Sequence, residues 1–132
     1  MSLFPTCTVV FFTNLYYNCF KNDKLEFRRV NIVKTITICG SMKYEKEMHA
    51  IAFKLETKHG YNVLQCVYNL EKKELTPLDL DALKKAHYKK IDISDGIYVV
   101  DIQGYIGSSV REEIQYAKEN GKEIIIHSSY NL

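Results

Sequence analysis

An inward-turned glutamate on an amphipathic helix and two loops rich in Gly and Ser are the parts of this sequence suited to chemistry. In "SSVREEIQYAKENG", residues 108–121, Val110, Ile114 and Ala117 recur at helical spacing, and Glu113 lies beside that stripe while Arg111, Glu112 and Gln115 point elsewhere. A carboxylate facing inward costs desolvation energy unless something uses it, and a structural salt bridge is the plain alternative. The first loop, "ICGSMKY" (38–44), sets Gly40, Ser41 and Lys43 where a β-branched run stops and a helix begins. The second, "IQGYIGSS" (102–109), ends in Gly107, Ser108 and Ser109 at the start of the glutamate's helix. Exposed backbone N–H groups and the positive end of a helix dipole suit such places to an anion, usually phosphate. Gly40 would let the backbone approach a ligand, Ser41 would offer a hydroxyl and an N–H, and Lys43 a charge. A tight turn with a helix cap accounts for the same residues without any ligand. Neither loop has the spacing of a G-x-G-x-x-G fingerprint or a P-loop.

These residues need a scaffold, and the chain alternates strand-like and helix-like segments from about Lys34 onward. "KTITIC" reads as a strand, and residues 44–59 read as a helix with Met48, Ile51, Ala52 and Leu55 on one apolar face, ended by Gly60. "YNVLQCV" reads as a second strand, followed by a polar loop and a helix that Thr76 caps, with Pro77 at its first position, running to about Ile91. "GIYVVDI" is a third strand whose continuous apolar run suits burial on both faces. The next helix starts with a capping box of Ser109 and Glu112 and stops at Gly121, and "KEIIIH" supplies a fourth strand. This alternation predicts right-handed crossovers and a mainly parallel sheet of at least four strands in a flavodoxin- or Rossmann-like three-layer α/β sandwich. Such sheets bind ligands at the carboxyl ends of their strands, where the two loops above face each other across the switch point.

Composition narrows the function. A chain of 132 residues with 46% hydrophobic and 26% charged residues is a soluble-type single domain. The net charge of +2 comes from 18 basic and 16 acidic side chains with no basic cluster, which argues against a nucleic-acid polymer as partner. Cys7, Cys19, Cys39 and Cys66 form no C-x-x-C and no Cys/His spacing suited to zinc, so no metal is expected, and they read as reduced thiols of a cytoplasmic protein. Cys39 reads as a small buried hydrophobe. The uncharged stretch "MSLFPTCTVVFFTNLYYNCF" is interrupted by Thr13, Asn14 and Asn18 and falls short of the roughly 20 apolar residues of a membrane span. It also lacks the basic start of a signal peptide.

Three segments, "ICGSMK", "HYKKIDISDGIYVVD" and "GYIGSSVREEIQYAKENGKEI", resemble the nucleoside 2-deoxyribosyltransferase family, including its relatives that hydrolyse deoxynucleoside monophosphates. The resemblance spans about residues 34–127 and keeps the order of the motifs, which makes 34–132 the family-like domain and 1–33 an N-terminal extension. It implies a retaining displacement at the anomeric carbon of a deoxyribose without a cofactor, on a deoxynucleoside or deoxynucleotide substrate. It places the nucleophile on Glu113 and the phosphate on Gly40, Ser41 and Lys43, with Ser108 and Ser109 as the other half of the anion site. It also implies a homo-oligomer.

Departures from the family pattern are legible too. The position of the family's second-helix aspartate is held by His87, which can donate a proton near neutral pH. Leu83, His87 and Ile91 share one helical face, so His87 also reads as a packed core histidine. Asp101, at the end of the third strand, is an alternative acid or sugar-hydroxyl ligand. The family continues into a fifth strand, and here "TCTVVFF" and "KLEFRRVNIV" are expected as added edge strands, or as a peripheral extension from an upstream start site. Two function classes follow: an N-glycosidase or transferase, and a non-catalytic nucleotide sensor in which Glu113 binds a ribose hydroxyl.

Overall fold

Steric preference of β-branched residues for extended backbone and helical spacing of apolar ones produce the elements seen in the computed structural model, which describes residues 32–132. They are β1 (Thr35–Gly40), a 3-10 turn (Met42–Tyr44), α1 (Glu45–His59), β2 (Asn62–Leu64), α2 (Pro77–Ile93), β3 (Gly96–Val100), a second 3-10 turn (Ile102–Gly104), α3 (Ser108–Glu119), β4 (Glu123–Ile126) and a third 3-10 turn (His127–Ser129). The four strands are all parallel, in the order β2-β1-β3-β4. The chain adds β2 on one side of β1 and then crosses to build β3 and β4 on the other, so the switch point lies between β1 and β3.

Side-chain alternation along the central strands divides the core into two layers. Ile36, Ile38, Tyr98 and Val100 point to α1, where they meet Met48, Ile51, Ala52 and Leu55. Cys39, Ile97 and Val99 point the other way, toward Ile91 of α2 and Val110 and Ala117 of α3. The result is a Rossmann-like three-layer sandwich, as the alternation of segments predicts. Full burial of a side chain such as Ile36, Ile38 or Leu55 contributes roughly 1.5–3 kcal/mol, so the two layers supply most of the driving force. Polar groups tie the layers together: the buried Tyr98 hydroxyl lies 2.8 Å from His127 Nδ1. Ser94 Oγ donates to Lys90 O at 2.7 Å and lies 2.7 Å from Thr37 Oγ1, tying β1 to α2.

Gly60 ends α1 in the left-handed conformation, and Thr76 and Asp79 form a reciprocal capping box on α2. Three boundaries differ from the sequence expectation. β2 is confined to Asn62–Leu64, because beyond it side chains replace the ladder: the Cys66 thiol donates to Ile38 O at 3.5 Å and Lys90 Nζ to Gln65 O at 2.8 Å. β3 ends at Val100, where the backbone turns into the second 3-10 turn. The expected Ser109–Glu112 capping box is not formed. Gly107 is the N-cap of α3, which leaves Ser109 inside the helix and Glu112 paired with Lys84 at 2.7 Å. The segments expected as added strands lie outside the described residues, except Ile32 and Val33, which are irregular and exposed.

Two glycines are fixed by close packing. A Cβ on Gly96 would lie 2.7 Å from the Glu123 carbonyl oxygen and 2.8 Å from Glu123 Cβ, against the neighbouring strand. Gly96→Ala is therefore expected to destabilise the fold by at least about 2 kcal/mol, read as a lowered midpoint of thermal or urea unfolding. A Cβ on Gly40 would meet Met48 Sδ at 3.0 Å and Val100 Cβ at 3.1 Å. The thioether can yield, so Gly40→Ala is expected to cost about 1 kcal/mol in the same measurement.

Candidate functional site

The carboxyl ends of β1 and β3 open on a cavity of about 610 Å³. Gly40 and Ser41 border it on one side, the Tyr105–Val110 segment on the other, and Leu83, Lys84 and His87 of α2 form a wall. That volume lies within the roughly 300–1,000 Å³ typical of small-molecule sites.

Glu113 lines this cavity from the second turn of α3. Its Oε2 is buried and has no hydrogen-bond partner among the described residues. The nearest cation is His87, whose Nε2 lies 3.4 Å away; both side chains are mostly buried. This is a charge contact without hydrogen-bond geometry, and an orphaned buried carboxylate oxygen is uncommon in folded proteins. Burial of the His87 ring opposes its charge, but the Cys66 sulfur and the Glu113 carboxylate outweigh that and raise its pKa to about 9. His87 thus faces a carboxylate from the helical face predicted for it.

Cys39 forms the floor of this group. Its sulfur lies 3.5 Å from His87 Nε2, while Cys66 Sγ lies 3.9 Å from Nδ1 on the other side of the ring. Burial, reinforced by the Glu113 carboxylate, pushes the Cys39 thiol well above its usual range. It is fully buried, as expected of a small hydrophobe, and unsuited to nucleophilic attack. Cys39→Ala is expected to keep the fold and any glycosidic activity, measured as base release; abolished activity in a folded variant would make the thiol a reactant.

The structure brings Gly40, Ser41, His87, Gly107, Ser108, Ser109 and Glu113 around one cavity. The N-terminus of α3 has no side-chain cap and no acidic residue in its first turn, and its first residues, Ser108 and Ser109, line the cavity. Ser41 likewise makes no side-chain cap to the short turn that follows it. Gly40 packs closely against Met48 and Val100, which is a packing reason for glycine in addition to any ligand approach. Lys43 does not line the cavity; its ammonium rests 3.1 Å above the Tyr105 ring, which does.

Asp101 is placed elsewhere. Its carboxylate accepts the Ser128 backbone N–H at 2.8 Å and the Ser128 hydroxyl at 2.6 Å, which holds the third 3-10 turn after β4. It is buried and outside the cavity lining, so its surroundings fit a structural role. Lys84, Lys90 and Tyr105 line the cavity and were not singled out by spacing. The α2 helical repeat carries the only sequence signal for the lysines, since Lys84 and Lys90 flank His87 at about one turn on either side.

No helix among the described residues is long and apolar enough to cross a membrane. No family model, curated protein or solved structure matches the chain.

Proposed function

We propose that this protein cleaves the N-glycosidic bond of deoxynucleosides or deoxynucleoside 5′-monophosphates, in the manner of the nucleoside 2-deoxyribosyltransferase family that its motifs resemble. The observation that carries this reading is the buried, unpartnered Oε2 of Glu113, a residue that lines a ligand-sized cavity at the switch point. Glu113 attacks the anomeric carbon, the C–N bond breaks with its electron pair going to the base, and the base takes up a proton. The resulting sugar ester is then resolved by water, giving hydrolysis, or by a second base, giving transfer. Carboxylate charge also stabilises the oxocarbenium-like transition state. A 5′-phosphate would rest on the amides of Ser108 and Ser109 with Ser41 opposite, which favours hydrolysis of monophosphates. In this reading the chain works as a homo-oligomer without cofactor.

The 3.4 Å between His87 and Glu113 is shorter than the roughly 5–5.5 Å that retaining glycosidases keep between their two groups. This favours His87 as an electrostatic partner of Glu113 over His87 as the acid. It also supports the second reading, a nucleotide sensor in which Glu113 accepts a sugar hydroxyl and no bond breaks. Incubating the protein with a panel of deoxynucleosides and deoxynucleotides and separating free base by chromatography decides between them.

Lys43 stands behind Tyr105 at the cavity wall, and if a bound monophosphate draws its ammonium off that ring, Lys43→Ala is expected to weaken monophosphate binding about tenfold and nucleoside binding far less, measured by calorimetric titration with both ligands. Equal weakening would assign Lys43 to its packing on Tyr105.

A further inference from the structure

Cys39, His87 and Glu113 are far apart in sequence and belong to β1, α2 and α3, yet one donor atom from each lies within 4.8 Å of the others. We propose that these three residues form a binding site for a single soft or borderline divalent metal ion, Zn2+ above all. Tetrahedral zinc with ordinary Zn–N, Zn–O and Zn–S bonds sets imidazole nitrogen roughly 3.4 Å from a carboxylate oxygen and roughly 3.6 Å from a thiolate sulfur. His87 Nε2 lies 3.4 Å from Glu113 Oε2 and 3.5 Å from Cys39 Sγ. The remaining sulfur–oxygen separation closes by rotation of the Glu113 side chain, whose Oε2 makes no hydrogen bond among the described residues.

The chemistry of the set selects the ion. One thiolate, one imidazole and one carboxylate suit zinc and its neighbours, and Mg2+ and Ca2+ prefer oxygen alone. Binding releases the thiol proton of Cys39 and any proton on His87 Nε2 to solvent, so the three donors reach the ion as thiolate, neutral imidazole and carboxylate. Three protein ligands leave one tetrahedral position, and because His87 and Glu113 line the cavity, that position faces it. Cys66 Sγ, 3.9 Å from Nδ1, stands on the far side of the ring and orients it. Spacing in the sequence hides this site, since no two of its ligands are near neighbours in the chain.

The site does not depend on the glycosidase reading, but the two bear on each other. A metal ion on Glu113 occupies the lone pair that would attack the sugar, so the metal-loaded chain should release no base.

The test uses the full chain, reduced and stripped of metal, titrated with Co2+ as a spectroscopic probe and then with Zn2+. One Co2+ per chain should give thiolate-to-cobalt charge-transfer absorption and the visible bands of a tetrahedral site, both removed by Zn2+. Cys39→Ser should lose the charge-transfer band, and Glu113→Gln should weaken Co2+ affinity at least about tenfold, with folding of each followed by circular dichroism. If Cys39→Ser does not fold, the affinity loss in Glu113→Gln carries the test. Absence of the band in the wild type overturns the proposal. So does a band that survives Cys39→Ser or is lost only in Cys66→Ser, or an affinity unchanged in Glu113→Gln. These readouts need no base release, so failure of the glycosidase reading leaves them intact.

Discussion

Glu113→Gln is expected to lower base release by at least about a thousandfold, or roughly 4 kcal/mol of barrier, while nucleotide affinity changes far less. The amide keeps the size of the carboxylate and removes its charge, so an interaction made only with the developing cation at the anomeric carbon disappears, and contacts of base and phosphate remain. Glu113 Oε2 has no hydrogen bond to lose among the described residues, so the substitution acts on its charge and on the contact with His87. Trapping the wild type with a 2-fluorinated deoxynucleoside analogue should leave a sugar adduct on Glu113, located by peptide mass spectrometry. A wild type that binds deoxynucleotides and releases base from none of them would replace the enzyme reading with the sensor reading.

How much of this was legible beforehand depends on the range of the interaction that sets each feature. Local rules carried the helices: the stripe of Met48, Ile51, Ala52 and Leu55 is buried, Gly60 takes the left-handed conformation, and Thr76 with Pro77 starts α2. The strand ends escaped because they answer to neighbours. β2 stops at Leu64 since Cys66 and Lys90 side chains reach backbone carbonyls that a longer ladder would use, and nothing in "YNVLQCV" reveals that competition. The Ser109–Glu112 box matched a helix-start pattern, but Lys84 on α2 holds Glu112 and Gly107 starts the helix. A tertiary ion pair thus stands where a local cap was expected.

The candidate site divides along the same line. Glu113 stood out because its own helix turned it inward, and the two loops stood out because parallel sheets bring them together. Asp101 has the right position at a strand end, and only the structure reveals that Ser128 takes both its oxygens. The convergence of Cys39 and Glu113 on His87 needs the alternation of β1, the pitch of α2 and the placement of α3 on the same sheet face. Each is readable alone, but their meeting point is not.

His87→Ala is expected to slow base release by about a hundredfold, roughly 2.7 kcal/mol, and by a similar factor for natural bases and for substrates with good leaving groups. In an in-line displacement the nucleophile and the departing base occupy opposite faces of the anomeric carbon. A side chain 3.4 Å from the Glu113 oxygen stands on the nucleophile's face, where it cannot reach the base in the same pose. Its service there is electrostatic. With its pKa raised to about 9, His87 is cationic across neutral pH and offsets the burial of the carboxylate. Removing that charge leaves the buried carboxylate without its close cation. Base release by the wild type should fall as pH rises through about 9, where His87 loses its proton, and that limb should be absent in His87→Ala. Both readouts separate the possible roles. A loss confined to natural bases would give His87 the proton of the leaving group. A uniform loss, with the limb near pH 9 gone, makes it the electrostatic partner of Glu113.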